Sequence, residues 1–307
     1  MADRKEIDSP TGTEKVGHEW DGIEELDTPL PRWWLWTFCA SILFAIGYVI
    51  VYPAVPLLDR ATDGVLGWSS RGQLEAAMKA DQQNKAATRL AIASSPIANL
   101  ADNPQLMRAA VEGGRSVFKV ACVQCHGSGA TGSKGFPNLN DDDWLWGGDL
   151  AAIHKTISDG VRQPNHDATR MSQMPAFGRD GILQNRQIDD AAAYVRFISG
   201  QSGNGAAARR GAATFAQNCA ACHGPNGKGN RTFGAPNLTD FIWLYDGDQA
   251  TITETITNGR QGVMPRWNDR FDPVTLKMLA VYVYSLGGGE KPQYAQAPAG
   301  KNSDGQP

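Results

Sequence analysis

The sequence predicts an all-α chain in which one membrane-spanning helix precedes two tandem copies of a small helical domain. Three observations predict it. An uncharged apolar run of twenty residues, Trp33 to Tyr52, lies near the N-terminus. The remainder contains an internal repeat with a period near 97–99 residues. No alternating apolar–polar pattern of any length marks a β-strand.

The first segment, 1–32, is a polar tail with Arg4, Lys5, Lys15 and Arg32 against nine acidic residues, so the positive-inside rule gives only a weak orientation. The span follows at 33–53. Twenty apolar residues match the thickness of a bilayer, with Trp33, Trp34 and Trp36 at one end and Tyr48 and Tyr52 at the other as interfacial aromatics. A signal peptide would have a basic start and a shorter apolar run. Cys39 inside the run reads as a passive small side chain. The linker, 54–104, carries an Ala-rich helical stretch from about Gln73 to Leu90.

The repeated domains run over 105–200 and 206–290, joined by the linker QSGNG. Gly114, Phe118, Cys122, Cys125 and His126 precede Gly211, Phe215, Cys219, Cys222 and His223 by 97 residues. Pro137-Asn138-Leu139, Trp144, Gly148 and Gly160 precede their counterparts by 99, and Met174-Pro175 precedes Met264-Pro265 by 90. The first copy therefore holds about nine extra residues around Gln163 to Gln173. Helices are expected over 104–121 and 206–218, entering the cysteine motifs, and over 187–199 and 273–286, closing each copy. Asn103-Pro104 reads as an N-cap followed by proline at the first helical position. Residues 291–307 read as a disordered tail.

Chemistry concentrates in the cysteines. There are five, and four form two C-x-x-C pairs, each followed at once by histidine. On a turn of helix two such thiols reach the two vinyl groups of one haem, and the histidine behind them reaches its iron. Cys122 and Cys125, and Cys219 and Cys222, are thus the expected covalent attachment points of two haems c, with His126 and His223 as axial ligands. A downstream methionine fills the sixth position in cytochromes c. Met174 and Met264 are the candidates, and Met171 rivals Met174. Met278 lies in a closing helix and reads as core. Zinc is the rival reading, but the 93 residues between Cys125 and Cys219 far exceed the spacing of zinc knuckles. A zinc site would also not ask for a histidine after each pair or a matching Met-Pro in each copy, and a redox dithiol is set aside on the same spacing rules. His166 reads as an exposed loop residue, with a distal ligand of a bis-histidine haem as its alternative, His154 as an exposed helix residue, and Asp141-Asp142-Asp143 as a solvated run or a docking patch. A net charge of −3 supplies no basic excess for nucleic acid.

Both copies resemble class I cytochromes c. That resemblance implies crossing first and last helices within each copy, with Gly114 and Phe118 against Tyr194, and Gly211 and Phe215 against Tyr282. It also implies that the carbonyls of Pro137 and Pro236 accept the ligand histidines' Nδ1–H, fixing the rings.

The tail is more specific. His18-Glu19-Trp20-Asp21-Gly22-Ile23-Glu24-Glu25-Leu26, leading to Pro29-Leu30-Pro31-Arg32-Trp33-Trp34, resembles the opening of the dihaem c subunit III (CcoP/FixP family) of cbb3-type cytochrome c oxidases. Tyr52-Pro53 and Gly67-Trp68 also fit. The resemblance implies a single-pass protein of the bacterial inner membrane, with the tail cytoplasmic and the haem domains periplasmic. It implies electrons accepted from a donor cytochrome c and passed to the monohaem c subunit. From there they reach the haem b and copper subunit, which reduces oxygen and pumps protons. On this reading the chain serves an enzyme but holds no substrate-reducing site. The alternatives are a free-standing membrane-anchored dihaem carrier and a haem enzyme with an open sixth position.

Overall fold

The computed structural model describes residues 6–291, so the expected tail at 291–307 lies almost wholly outside the described residues. The chain divides into two compact units, one up to Asn84 and one from Lys85 onward.

In the first unit, the expectation of a purely helical chain needs one correction. Strands β1 (Lys15–Trp20) and β2 (Ile23–Leu26) pair antiparallel, with Trp20 opposite Ile23. The turn between them is Asp21-Gly22, both at positive φ (50° and 84°). Tight hairpin turns require that conformation, and the Asp-Gly pair adopts it readily. Helix α1 (Arg32–Val51) occupies the predicted span, with a mean hydropathy of 2.0 and no buried residue. Beyond it the chain folds back on the helix end. Val65 and Leu66 donate to the carbonyls of Ile50 and Val51, and Trp68 meets Tyr52 edge-on at 5.7 Å. Gly64 is needed there, because a Cβ would overlap the Val51 carbonyl.

Helix α2 (Ser70–Ser94) leads into the second unit, followed by a 3-10 turn (Ile97–Asp102). The remaining helices are α3 (Pro104–Ala121), α4 (Val123–His126), α5 (Leu150–Asp159), α6 (Asn185–Ile198), α7 (Ala206–Asn218), α8 (Ala220–His223), α9 (Gln249–Asn258) and α10 (Pro273–Tyr284). Local signals set their ends. Asn103 accepts from the N–H groups of Gln105 and Leu106 at 3.1 Å. Asp149, Asp248 and Asp272 cap α5, α9 and α10 in the same way.

The packing departs from the sequence expectation. Each opening helix was expected to cross the closing helix of its own copy. Instead α3 packs on α10, and α7 packs on α6. Phe118 meets Tyr282 and Phe215 meets Tyr194, both at 5.2 Å between ring centroids. Gly114 lies against the backbone of Met278 and Gly211 against that of Asp190; a side chain at either would overlap a carbonyl oxygen. Likewise α5 packs on α10, and α9 on α6.

The result is two lobes. The inner lobe runs continuously from about 174 to 258 and contains its closing helix α6 first, then α7, α8 and α9. The outer lobe is discontinuous, formed by α3, α4 and α5 together with the segment from about 262 through α10. Each has its own core. Phe177, Ile188, Val195, Phe215, Ile252 and Ile256 centre the inner one. Phe118, Ile153, Ile157, Leu276, Leu279 and Val283 centre the outer one. The outer lobe carries a second cluster, where Ile92 and Leu100 from the linker join Ala110, Leu150, Met278 and Val281.

Candidate haem sites

The two cysteine motifs adopt the same turn. In the outer lobe the Cys122 N–H bonds back to Phe118, and Cys125 and His126 both donate to the Cys122 carbonyl, at 3.2 and 2.9 Å. In the inner lobe Cys222 and His223 donate to the Cys219 carbonyl at 3.1 and 2.9 Å. Gly127 and Gly224, each at φ 78°, end the turns. Two thiols and an imidazole therefore leave a single helical turn in each lobe, as attachment to one haem requires.

The imidazoles are held alike. His126 Nδ1 lies 3.0 Å from the Pro137 carbonyl and His223 Nδ1 3.1 Å from that of Pro236. A carbonyl only accepts, so Nδ1 carries the proton and Nε2 is left with its lone pair. Burial lowers both pKa values, against a smaller opposing effect of the proline bonds. Both rings are thus kept neutral, the form that binds a metal.

Cys122 and Cys219 are half-buried in their lobe cores, and burial, with the neighbouring thiol second, pushes each up to about 11. Such thiols are the opposite of the thiolates a redox dithiol uses. The less exposed member of each pair, Cys122 or Cys219, packs against a separate core, while Cys125 and Cys222 are exposed, which does not suit one shared zinc site.

Each lobe holds a candidate methionine from the other copy. Met264 packs in the outer core beside Cys122, Leu139 and Trp144, and Met174 packs in the inner core beside Cys219, Leu238 and Trp243. Met171 is 66% exposed and belongs to neither core. Met278 is buried under Gly113 and Ala110.

Two histidines stand elsewhere than expected. His166 is not an exposed loop residue. Its Nδ1 accepts from Arg266 at 2.9 Å and its Nε2 faces Asp159 at 3.4 Å, so both ring nitrogens are engaged within the protein. His154 is half-buried, with Nε2 lacking a hydrogen-bond partner; burial, then Lys277, lowers its pKa. The acidic run is not freely solvated either: only Asp142 is exposed. Burial, and then Asp240, push Asp143 up to about 6.

Sequence reasoning missed one matched pair. Arg170 and Arg260 each sit four residues before a candidate methionine. Arg170 stacks over Trp146 at 5.4 Å and bonds Thr156; Arg260 stacks over Tyr245 at 3.9 Å and bonds Thr255. Their equal offset from Met-Pro was the available signal.

The donor set fits a haem: paired thiols on one turn, a neutral imidazole with Nε2 free, and a thioether in the same apolar core. Comparison with known proteins agrees. Residues 12–59 match the family described as the N-terminal domain of cytochrome oxidase-cbb3, FixP. Residues 109–195 and 206–283 match cytochrome c oxidase, cbb3-type, subunit III. The chain is 52% identical over 275 residues to the cbb3-type cytochrome c oxidase subunit CcoP of Cereibacter sphaeroides, covering 90% of this chain and 95% of that one. It is 53% identical over 291 residues to the FixP subunit of Bradyrhizobium sp. (strain ORS 278), covering 94% and 100%. Against the CcoP subunit of Azospirillum brasilense it is 46% identical over 293 residues, covering 94% and 99%.

Proposed function

The chain belongs to the family of cbb3-type cytochrome c oxidase subunit III, and from that premise we propose that it is the dihaem electron-transfer subunit of such an oxidase. It relays electrons from a donor cytochrome c to the monohaem subunit and the oxygen-reducing, proton-pumping core. The observation that carries this reading is the doubled site: two C-x-x-C-H turns, each with its imidazole oriented by a proline carbonyl and a methionine in its core.

Each residue has a definite task. Cys122 and Cys125, and Cys219 and Cys222, tether one haem c apiece through thioethers. The group, when bound, supplies an iron that takes up and releases one electron. His126 and His223 present Nε2 to it, and Pro137 and Pro236 stop the rings from turning. Met174 and Met264 would hold the group through soft thioether sulfur, which would favour the reduced metal. With an imidazole and a thioether available in each lobe to hold the group, the chain would pass electrons rather than bind oxygen or peroxide. The apolar cores around Phe118 and Phe215 would keep water from the group. Helix α1 anchors the chain in the bacterial inner membrane, with the hairpin tail cytoplasmic and the haem lobes periplasmic.

The test is to solubilise membranes in mild detergent and capture the chain through a tag. Haem b and copper should co-purify, with cyanide-sensitive oxidation of reduced cytochrome c. Recovery of low-spin haem c alone, without oxygen uptake, would identify a free-standing carrier instead.

A further inference from the structure

We propose that Arg162 is a positioning residue shared by both haem sites: its guanidinium ties the two methionine segments together, at the carbonyls two residues before Met174 and Met264. The proposal rests on the reading of these methionines as axial ligands and deepens it, by naming what holds them.

The observation is a matched pair of bonds from one side chain. Arg162 Nε donates to the Gly262 carbonyl at 2.6 Å, and Nη1 donates to the Ser172 carbonyl at 2.9 Å. Gly262 precedes Met264 by two residues, and Ser172 precedes Met174 by two. One cation thus grips equivalent atoms of two repeats. A guanidinium suits the task, because its planar fork holds two acceptors in a fixed relation and keeps its charge. Arg162 is half-buried, and among the described residues its side chain donates to these carbonyls and pairs with no carboxylate. Removing a cation from water without a counter-charge is costly, so the two carbonyl bonds are what offsets its placement.

The residue is itself held from several sides. Its N–H bonds the Arg170 carbonyl at 2.8 Å, while its neighbour Val161 exchanges two bonds with Met264 at 2.9 and 3.0 Å. Its backbone is left-handed (φ 52°), a conformation that a side chain of this size adopts only where the surroundings impose it. Ser172 is fixed in turn, its hydroxyl donating to the Phe233 carbonyl. The second copy has no counterpart to Arg162. It runs directly from Gly259 through Arg260 to Met264, whereas the first copy inserts its extra loop between Gly160 and Met174, and Arg162 stands at the entry to that loop. The insertion therefore supplies one clamp that serves both copies, and loosening it should free both thioethers together.

The experiment uses the full-length, haem-loaded chain and asks how readily imidazole displaces methionine in the ferric protein. The readout is the far-red sulfur-to-iron charge-transfer band, to which both sites contribute. Arg162→Gly accepts the left-handed backbone without strain and removes only the side chain. Its whole band should be lost at an imidazole concentration about tenfold below that of the wild type, the effect of one charge-assisted bond per segment. Arg162→Lys keeps the charge without the fork, and should restore at most one of the two sites. If half of the band shifts in Arg162→Gly and half stays, Arg162 serves a single site and the clamp is overturned; an unshifted band overturns it equally. Full restoration by Arg162→Lys would assign the effect to charge alone, again against the clamp. Should Arg162→Gly fail to retain haem, Arg162→Lys decides by itself: at least half of its band must shift, or the clamp falls. A wild-type protein without the band would mean that methionine is not a ligand, and the ligand reading would then fall together with the clamp built on it.

Discussion

The inner and outer lobes reach the same arrangement from two different chain orders. In the inner lobe the closing helix α6 comes first, and seven residues carry the chain to the opening helix α7 that it crosses. In the outer lobe the same crossing, α3 on α10, closes only after the whole inner lobe has been made. Consecutive elements joined by short connections tend to pack together, and the brief step from α6 to α7 obeys that tendency. The outer lobe has a longer closure and additional support. Lys277 donates to the carbonyls of Ala93 and Ser95 at 2.7 Å, and Arg89 pairs with the α10 cap Asp272 at 2.9 Å, tying the linker to the late-arriving helix. A locally connected inner lobe and a long-range outer one should therefore fail differently.

The largest expected effect comes from breaking each crossing at its glycine. Leucine at Gly114 or Gly211 has no space against the facing backbone and should cost about 3 kcal/mol or more at either position, by overpacking. The consequences should be asymmetric. Gly114→Leu should unseat only the outer lobe and leave the inner haem attached. Gly211→Leu should unseat both, because the outer lobe closes across the inner. Haem per chain, read from the pyridine haemochrome of purified protein, distinguishes them. Equal losses from the two variants would mean that the lobes close independently.

Much of this architecture is legible in residues. The span, the starts of α3, α7 and α10, and the cysteine turns follow from hydrophobicity, capping and motif spacing. The pairing of the helices does not, because both copies present the same chemistry at the crossing. Gly114 with Phe118 and Gly211 with Phe215 fit Tyr194 or Tyr282 equally well. The distinguishing signal lay one position away. Arg210 in α7 bonds Asp190 in α6 at 2.6 and 2.8 Å, whereas the equivalent positions of the outer lobe are Gly113 and Met278, which pack together. Opposite charges in one pair, and a large residue against a small one in the other, match only across copies. His166 was misjudged for the same reason, since its partner Arg266 belongs to the other repeat. The hairpin in the tail was announced by Asp21-Gly22, but its strands are too short and polar to show alternation.

That difference between the crossings can be turned into a second test. Arg210→Gly and Asp190→Met together would give the inner lobe the outer lobe's solution. Each single change should lower the thermal midpoint, by removing a charge's partner or by placing an apolar side chain against an arginine. The double variant should recover much of the loss, because a partly buried ion pair can be replaced by apolar packing at little cost. Its unfolding should also lose salt dependence that the wild type shows. Strict additivity of the two single effects would mean that the residues are not coupled across α6 and α7.

The smallest effect expected concerns a charge that only the outer lobe has. Asp143 corresponds to Ile242 in the inner lobe. Its carboxyl lines a cleft of about 530 Å³ together with Asp240, Arg231 and Glu290. Burial, and then the nearby Asp240, raise its pKa to about 6 from the ordinary 3.8. A raised carboxylate pKa means that the folded chain holds a proton the unfolded chain has released. Stability associated with this group is therefore fully present below about pH 4, falls as the pH rises, and is lost above about pH 6. Asp143→Asn should remove that slope. It should gain on the order of 1 kcal/mol near pH 7, after allowing for solvent screening at a partly exposed site, and almost nothing at pH 4. Denaturant unfolding of wild type and variant across pH 4 to 8 measures it. Parallel profiles over that range would show that Asp143 is already charged at pH 4, and that the outer lobe bears no greater electrostatic strain at this seam than the inner lobe with its isoleucine.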